Sequence, residues 1–269
     1  MTGLVEWKRG NAMQPFFEIK GIPFGGGKPV VCVPVIDREK EDVIGHIRRL
    51  AEKQAQMIEW RVDAYAGADD PASVREVLEA VKPCLGGTVF LFTFRTAKQG
   101  GCREMVEKNI INLNETAAKS GCADIIDMEF FEATRPEKNI RRLQRMGCRV
   151  IASHHDFERT PDSTILSVLM DQMIEGGADI AKIAVMPQSS EDVVRLLKLT
   201  VDTRGKYPEQ PVATMAMGPL GAVSRVSGET FGSCITFGSD GKASAPGQLP
   251  ADRLQMVLDI LHESMCRQE

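Results

Sequence analysis

Short apolar runs and amphipathic stretches alternate along this chain in one consistent order, each run of Val, Ile, Leu or Phe being followed by a segment with helical spacing. Residues 30–36, 57–62, 88–94, 123–129, 149–153, 178–186, 211–216 and 233–237 read as strands. Most are apolar almost throughout, as strands covered on both faces are. Residues 39–53, 70–81, 104–119, 136–146, 164–175, 191–203, 220–226 and 250–265 read as the intervening helices, with Asp70-Pro71 and Pro136 as start signals. Strand and helix repeat without a polar linker, which predicts an α/β fold: a single (β/α)8 TIM barrel domain over residues 1–269. A doubly wound open sheet is the alternative, because periodicity does not prove closure. Residues 16–24 read as a short N-terminal hairpin closing the barrel bottom, and residues 1–15 as a poorly ordered extension.

A barrel changes what the polar residues mean, because reactive groups gather at the carboxyl ends of its strands. Polar residues interrupt the apolar runs at those ends: Glu59, Arg61 and Asp63, Arg95, Asp127 and Glu129, His154 to Asp156, and Lys182. Lys182 stands inside Ala178-Asp179-Ile180-Ala181-Lys182-Ile183-Ala184-Val185-Met186, where an unpaired ammonium costs several kcal/mol, on the order of the effective penalty for a buried ion. Either a nearby acid pairs with it, or it sheds its proton and becomes a neutral nucleophile that condenses with ketones. A lysine snorkelling from a strand end is the commoner case in general; the apolar flanks here favour the nucleophile. His154 and His155, two of only four histidines, follow directly on the neighbouring strand. Strand alternation sends one of them into the mouth, where imidazole can take up and return a proton.

Composition narrows the function classes. A net charge of -4 without a basic stripe argues against nucleic acid as a partner. No apolar run has the length of a membrane span, and residues 1–10 lack the apolar segment of a signal peptide. Seven scattered cysteines without a C-x-x-C pair fit reduced thiols in the cytoplasm rather than a disulfide framework or a zinc site. Gly25-Gly26-Gly27-Lys28 has neither the spacing nor the following Ser/Thr of a phosphate loop and reads as a turn. Glu59, Asp127 and Glu129 suggest Mg²⁺ at the mouth, but the interleaved Arg61 and Arg95 oppose a divalent cation.

Several segments together resemble one family. Glu59-Trp60-Arg61-Val62-Asp63, Phe92-Thr93-Phe94-Arg95-Thr96, Ser153-His154-His155-Asp156-Phe157 and Ala181-Lys182-Ile183-Ala184 are similar, in order, to motifs of type I 3-dehydroquinate dehydratase. So are Met215-Ala216-Met217-Gly218, Ser224-Arg225-Val226-Ser227-Gly228 and Ser244-Ala245-Pro246-Gly247-Gln248. The resemblance implies a (β/α)8 barrel, a homodimer, no metal and no organic cofactor, and dehydration of the small molecule 3-dehydroquinate to 3-dehydroshikimate in aromatic amino-acid biosynthesis. It implies Lys182 as the Schiff-base residue and His155 as general acid and base, with His154 the second choice. Arg225 is implied as the grip on the substrate carboxylate, and Glu59, Arg61 and Arg95 as holding ring hydroxyls. Ser244 and Gln248 would belong to a closing loop, and Met215 and Phe237 would pack around the ring.

The residues give independent reasons for these roles. A planar guanidinium fork suits a carboxylate, and the glycines at 218 and 221 let the Arg225 loop approach closely. A surface helix charge is the competing reading for Arg225, and a mutual surface ion pair the competing reading for Glu59 and Arg61. Gly247 and Pro246 suit a lid that excludes water, although an ordinary loop has the same composition.

The match departs at Gln99, which fills the slot where the family pattern has glutamate before Gly100-Gly101. The amide can orient His155 but brings no negative charge, so the base is expected to be weaker while imine formation and elimination persist. Another Schiff-base enzyme acting on a related cyclic keto acid, or a binding protein that has lost turnover, are the alternatives. Ultraviolet detection of a conjugated enone product distinguishes them.

Overall fold

A computed structural model describes residues 16–266; the extension read at residues 1–15 lies outside them. Two antiparallel strands, β1 (Phe17–Ile19) and β2 (Ile22–Phe24), come first. Their two-residue turn places Lys20 and Gly21 at φ 53° and 78°, the backbone a tight hairpin of this twist requires. Lys20 Nζ donates to Thr88 O (2.9 Å) and to Asp124 Oδ2 (2.7 Å), fastening the turn beside the barrel strands.

The barrel strands follow: β3 (Val30–Val35), β4 (Met57–Arg61), β5 (Val89–Thr93), β6 (Ile125–Glu129), β7 (Arg149–Asp156), β8 (Ile180–Val185), β9 (Val212–Ala216) and β10 (Ile235–Ser239). From β3 to β9 each strand pairs in parallel with the next, and β10 pairs in parallel with β3. The ring closes between β9 and β10 through a Val212–Ser233 bridge, with Cys234 N donating to Val212 O at 2.8 Å. There the Ser233 hydroxyl accepts from Thr214 N at 3.0 Å in place of a backbone rung. A short β11 (Leu249–Pro250) pairs with the upper end of β10, on the edge away from β3. The expected barrel is therefore the observed fold, and the open sheet is not.

Helices α1 (Lys40–Glu52), α2 (Pro71–Val81), α3 (Glu107–Ser120), α4 (Pro136–Arg145), α5 (Ser163–Glu175) and α6 (Ser190–Lys206) alternate with the strands, as do α7 (Ala222–Val226), α8 (Gly228–Phe231) and α9 (Ala251–Cys266). Asp70, Asp162 and Ser189 accept from backbone N–H groups of the first turns of α2, α5 and α6, satisfying donors that a helix start leaves free. None of the described helices is long and apolar enough to cross a membrane.

Two cores follow from strand parity. Ile58, Trp60, Phe90, Phe92, Ile126, Val150 and Ile183 face the helices. Met57, Val89, Leu91, Ile125, Ile151 and Ile180 fill the barrel, with Phe24 buried among them and Phe17, Ile19 and Ile22 packed beneath. The hairpin thus plugs the bottom and leaves the carboxyl ends of the strands as the open face.

The helix expected at 220–226 divides instead into a 3-10 turn at Pro219–Gly221, then α7 and α8. The fifth barrel strand also runs further than its apolar residues suggest, through His154 and His155 to Asp156, because β8 supplies partners up to Val185. The two histidines are strand residues rather than loop residues.

Candidate active site

The parity that fills the barrel with Met57 and Ile125 carries polar side chains inward one step higher. Glu59 and Arg61 follow Met57 on β4, Asp127 and Glu129 follow Ile125 on β6, Ser153 and His155 follow Ile151 on β7, and Lys182 follows Ile180 on β8. His154 takes the opposite side, its ring edge-on to Phe131 with centroids 5.5 Å apart. Lys182, His155, Gln99, Glu59, Arg61, Arg95, Arg225, Ser244, Gln248, Met215 and Phe237 line one cavity of about 40 Å³, whereas His154, Asp63, Asp127 and Glu129 do not line it.

Lys182 is 3% exposed, and its Nζ donates to Asp127 Oδ2 at 3.2 Å while lying 4.4 Å from the Phe237 ring centroid. Of the two outcomes open for a lysine here, the structure has the paired one. Asp127 also accepts from Arg95 Nη2 (2.8 Å) and from the Ser153 hydroxyl (2.6 Å). Burial would raise the Asp127 pKa, but the cations Arg95 and Lys182 outweigh it and hold the carboxyl below its ordinary value. Asp127→Asn is expected to cost about 3–5 kcal/mol, because buried cations lose their counter-charge; a lower urea midpoint with an unchanged slope is the check.

The arginines differ in what occupies them. Arg95 binds Asp127 and Glu129 and reaches Ser153 Oγ at 3.0 Å. Arg61 makes a two-pronged contact with Asp63, at 2.8 Å for both Nε and Nη2. Burial works against the charge on Arg61, but Asp63 more than offsets it and lifts the guanidinium above its usual range. Glu59 does not pair with Arg61; it is buried and accepts from Thr93 Oγ1 at 2.8 Å. Arg225 is buried yet nearly unpartnered: Nη2 donates to Pro246 O at 3.0 Å, while Nε and Nη1 have no acceptor. Burial pushes its pKa down to about 10, so a carboxylate arriving beside it would relieve both deficits.

Gln99 sits in a 3-10 turn, Ala97–Gln99, that Gly100 ends at φ 82°. A Cβ on Gly101 would fall 1.9 Å from Arg95 O, so the turn can fold this tightly only with glycine. Gln99 Oε1 accepts from His155 N (2.8 Å) and lies 3.2 Å from His155 Nδ1. Since the backbone N–H can only donate, the amide oxygen is the atom facing it. Nδ1 must then carry the proton, leaving the Nε2 lone pair free to act as a base. Gln99 Nε2 is buried without a partner. Loss of hydration first, then Arg95, Lys182, Arg61 and His154, drives the His155 pKa well below the ordinary histidine value. The imidazole is therefore neutral at pH 7.

Residues 244–248 border this cavity. Ser244 N donates to Gln248 Oε1 (2.8 Å) and Gln248 Nε2 to Ser244 Oγ (2.9 Å), while Pro246 O receives Gly218 N (3.1 Å). Phe157, Ala184, Met217 and Ala245 also line the pocket. Asp63, Thr93 and Ser153 form the layer behind it. Of these, Asp63 is among the polar residues that the sequence places at the strand ends.

Residues 31–265 match the family described as type I 3-dehydroquinase. A 3-dehydroquinate dehydratase of Klebsiella pneumoniae is 42% identical over 247 residues, covering 90% of this chain and 97% of that protein. The crystal structure of 3-dehydroquinate dehydratase from Geobacillus kaustophilus superimposes with a TM-score of 0.88 at 35% identity, covering 93% of this chain and 97% of that one. A type I 3-dehydroquinate dehydratase from Clostridium difficile, solved with covalently modified comenic acid, also gives 0.88, at 36% identity and with coverage of 92% and 98%. With motifs, barrel and pocket in agreement over most of its length, this chain belongs to the type I 3-dehydroquinase family.

Proposed function

We propose that this chain removes water from 3-dehydroquinate to give 3-dehydroshikimate in the shikimate pathway, through an imine formed on Lys182. The observation that carries the reading is the meeting, in one cavity, of a buried amine, a neutral imidazole and a buried arginine with unmet donors. The substrate is a β-hydroxy ketone whose carboxylate shares a carbon with the departing hydroxyl. Arg225 receives that carboxylate, while Glu59, Arg61 and Arg95 face the ring hydroxyls. Met215 and Phe237 pack against the ring, and Ser244 and Gln248 cover it.

The ketone proton is too weakly acidic for imidazole to remove unaided. Condensation of Lys182 with the carbonyl expels one water and makes a protonated imine, an electron sink for the carbanion beside it. His155 Nε2 takes the proton, and the resulting imidazolium returns it to the leaving hydroxyl, so both groups leave from one face. Hydrolysis of the product imine consumes one water and frees Lys182. Net, one water is lost. A covalent adduct in the Clostridium difficile relative accords with a nucleophile in this pocket. The reading includes a homodimer in the cytoplasm, for which the exposed Met256 and Ile260 of α9 and Leu220 and Val223 near α7 offer apolar surface.

Borohydride added with 3-dehydroquinate is expected to fix substrate mass on the peptide bearing Lys182. Turnover with Lys182 left unmodified would eliminate the imine. Gln99→Glu is expected to raise turnover, since a carboxylate beside Nδ1 stabilises the imidazolium. It should also raise the His155 pKa, so the acid limb of the rate profile moves to higher pH. An unchanged or lower turnover number would show that Gln99 has been misread.

A further inference from the structure

A second, larger cavity of about 190 Å³ lies outside the barrel, between α3 and α4 against β5 and β6. Its walls are apolar where Phe94, Met105, Met128 and Leu143 meet, and acidic towards α3. Glu115 and Glu132 are neutralised by Arg142 (2.7 Å) and Lys98 (3.2 Å). Glu107 accepts from Thr134, and Glu104 makes no ion pair among the described residues and feels Lys98 only through space, so neither carboxylate has a cation in direct contact. Asn114 supplies an independent sign. It lines the cavity at 3% exposure, and its Oδ1 has no hydrogen-bond partner. A buried acceptor left open at a cavity wall calls for a donor.

We propose that this cavity binds a small organic monocation, a primary ammonium on an apolar body. The ammonium donates to Asn114 Oδ1 and faces Glu104, and the hydrocarbon fills the space against Phe94 and Met128. An anion would meet the uncompensated carboxylates, and an uncharged hydrocarbon would leave Asn114 unsatisfied. The same walls connect the cavity to the chemistry. Thr96 and Lys98 belong to the segment leading into Gln99, and Thr96 donates through both N (2.9 Å) and Oγ1 (2.8 Å) to Glu129, which also holds Arg95. An occupant therefore bears on the position of Gln99 and so of His155, without entering the substrate pocket.

The test is calorimetric titration of the full chain with 2-phenylethylammonium chloride, and with 3-phenylpropionate as the anion of similar shape. This arm does not depend on the reaction assigned to Lys182. Saturable one-to-one binding of the ammonium is expected, weakened about tenfold or more by Glu104→Gln and by Asn114→Leu, with the anion weaker by a similar factor. Binding should persist with 3-dehydroquinate present, and turnover should change at constant KM. The absence of saturable binding up to about 10 mM, displacement by substrate, binding by either variant as tight as by the parent, or kinetics unaffected at saturation would each overturn the proposal.

Discussion

Lys182→Met is expected to lower turnover of 3-dehydroquinate by on the order of 10⁴-fold or more, the scale on which removal of a covalent nucleophile acts. Methionine has a comparable length and an apolar end, so it can lie against Phe237 where the amine lay 4.4 Å from the ring centroid. Asp127 keeps Arg95 and Ser153 as partners, so the barrel should fold. Enone absorbance gives the rate, and borohydride should then add no mass to the chain. Activity within about tenfold of the parent would show that the imine is not on the reaction path.

His155→Ala should reduce kcat by about 10²–10⁴-fold, the usual contribution of a positioned general acid–base. The substitution removes the imidazole alone, because Gln99 Oε1 keeps its 2.8 Å bond from the residue 155 backbone N–H. Borohydride trapping with 3-dehydroquinate should therefore survive while elimination slows, which separates the histidine from the lysine. The pH dependence has a definite sign. The His155 pKa lies below the ordinary value, so the base stays unprotonated through neutral and mildly acidic pH. Activity of the parent falls only as pH drops through that lowered pKa, and the alanine variant should lack this limb. An equal loss of trapping and turnover would move His155 from proton carrier to structural support.

Much of this architecture is legible without coordinates because two periodicities coincide. Alternation along β4, β6, β7 and β8 packs Met57, Ile125, Ile151 and Ile180 inside and, by the same parity, sends Glu59, Asp127, Ser153 and Lys182 inward above them. Buried charge in an apolar run is visible in sequence. Its partner is not, since Asp127 lies 55 positions from Lys182 and reaches it only through the barrel register. For the same reason sequence left open whether the amine is paired. The true length of β7 was hidden because polar residues at a strand end carry no strand signal, and only pairing to β8 reveals it. Arg225 illustrates a further limit. Composition favours an exposed arginine, and only the turn at Pro219–Gly221 and the helix after it bury this one beneath Pro246.

The closure between β9 and β10 has a consequence for how a ring-shaped guest enters. Low down, the two strands share the Val212–Ser233 bridge, and higher up β11 borders β10 on the edge away from β3. β11 follows directly on residues 244–248, and Pro246 O accepts from both Gly218 N and Arg225 Nη2, so any displacement of that segment would pull on the edge of β10 and free both donors together. Such a displacement would couple access to the cavity with release of the Arg225 guanidinium, and the β7–β8 register that sets His155 beside Lys182 has no part in it.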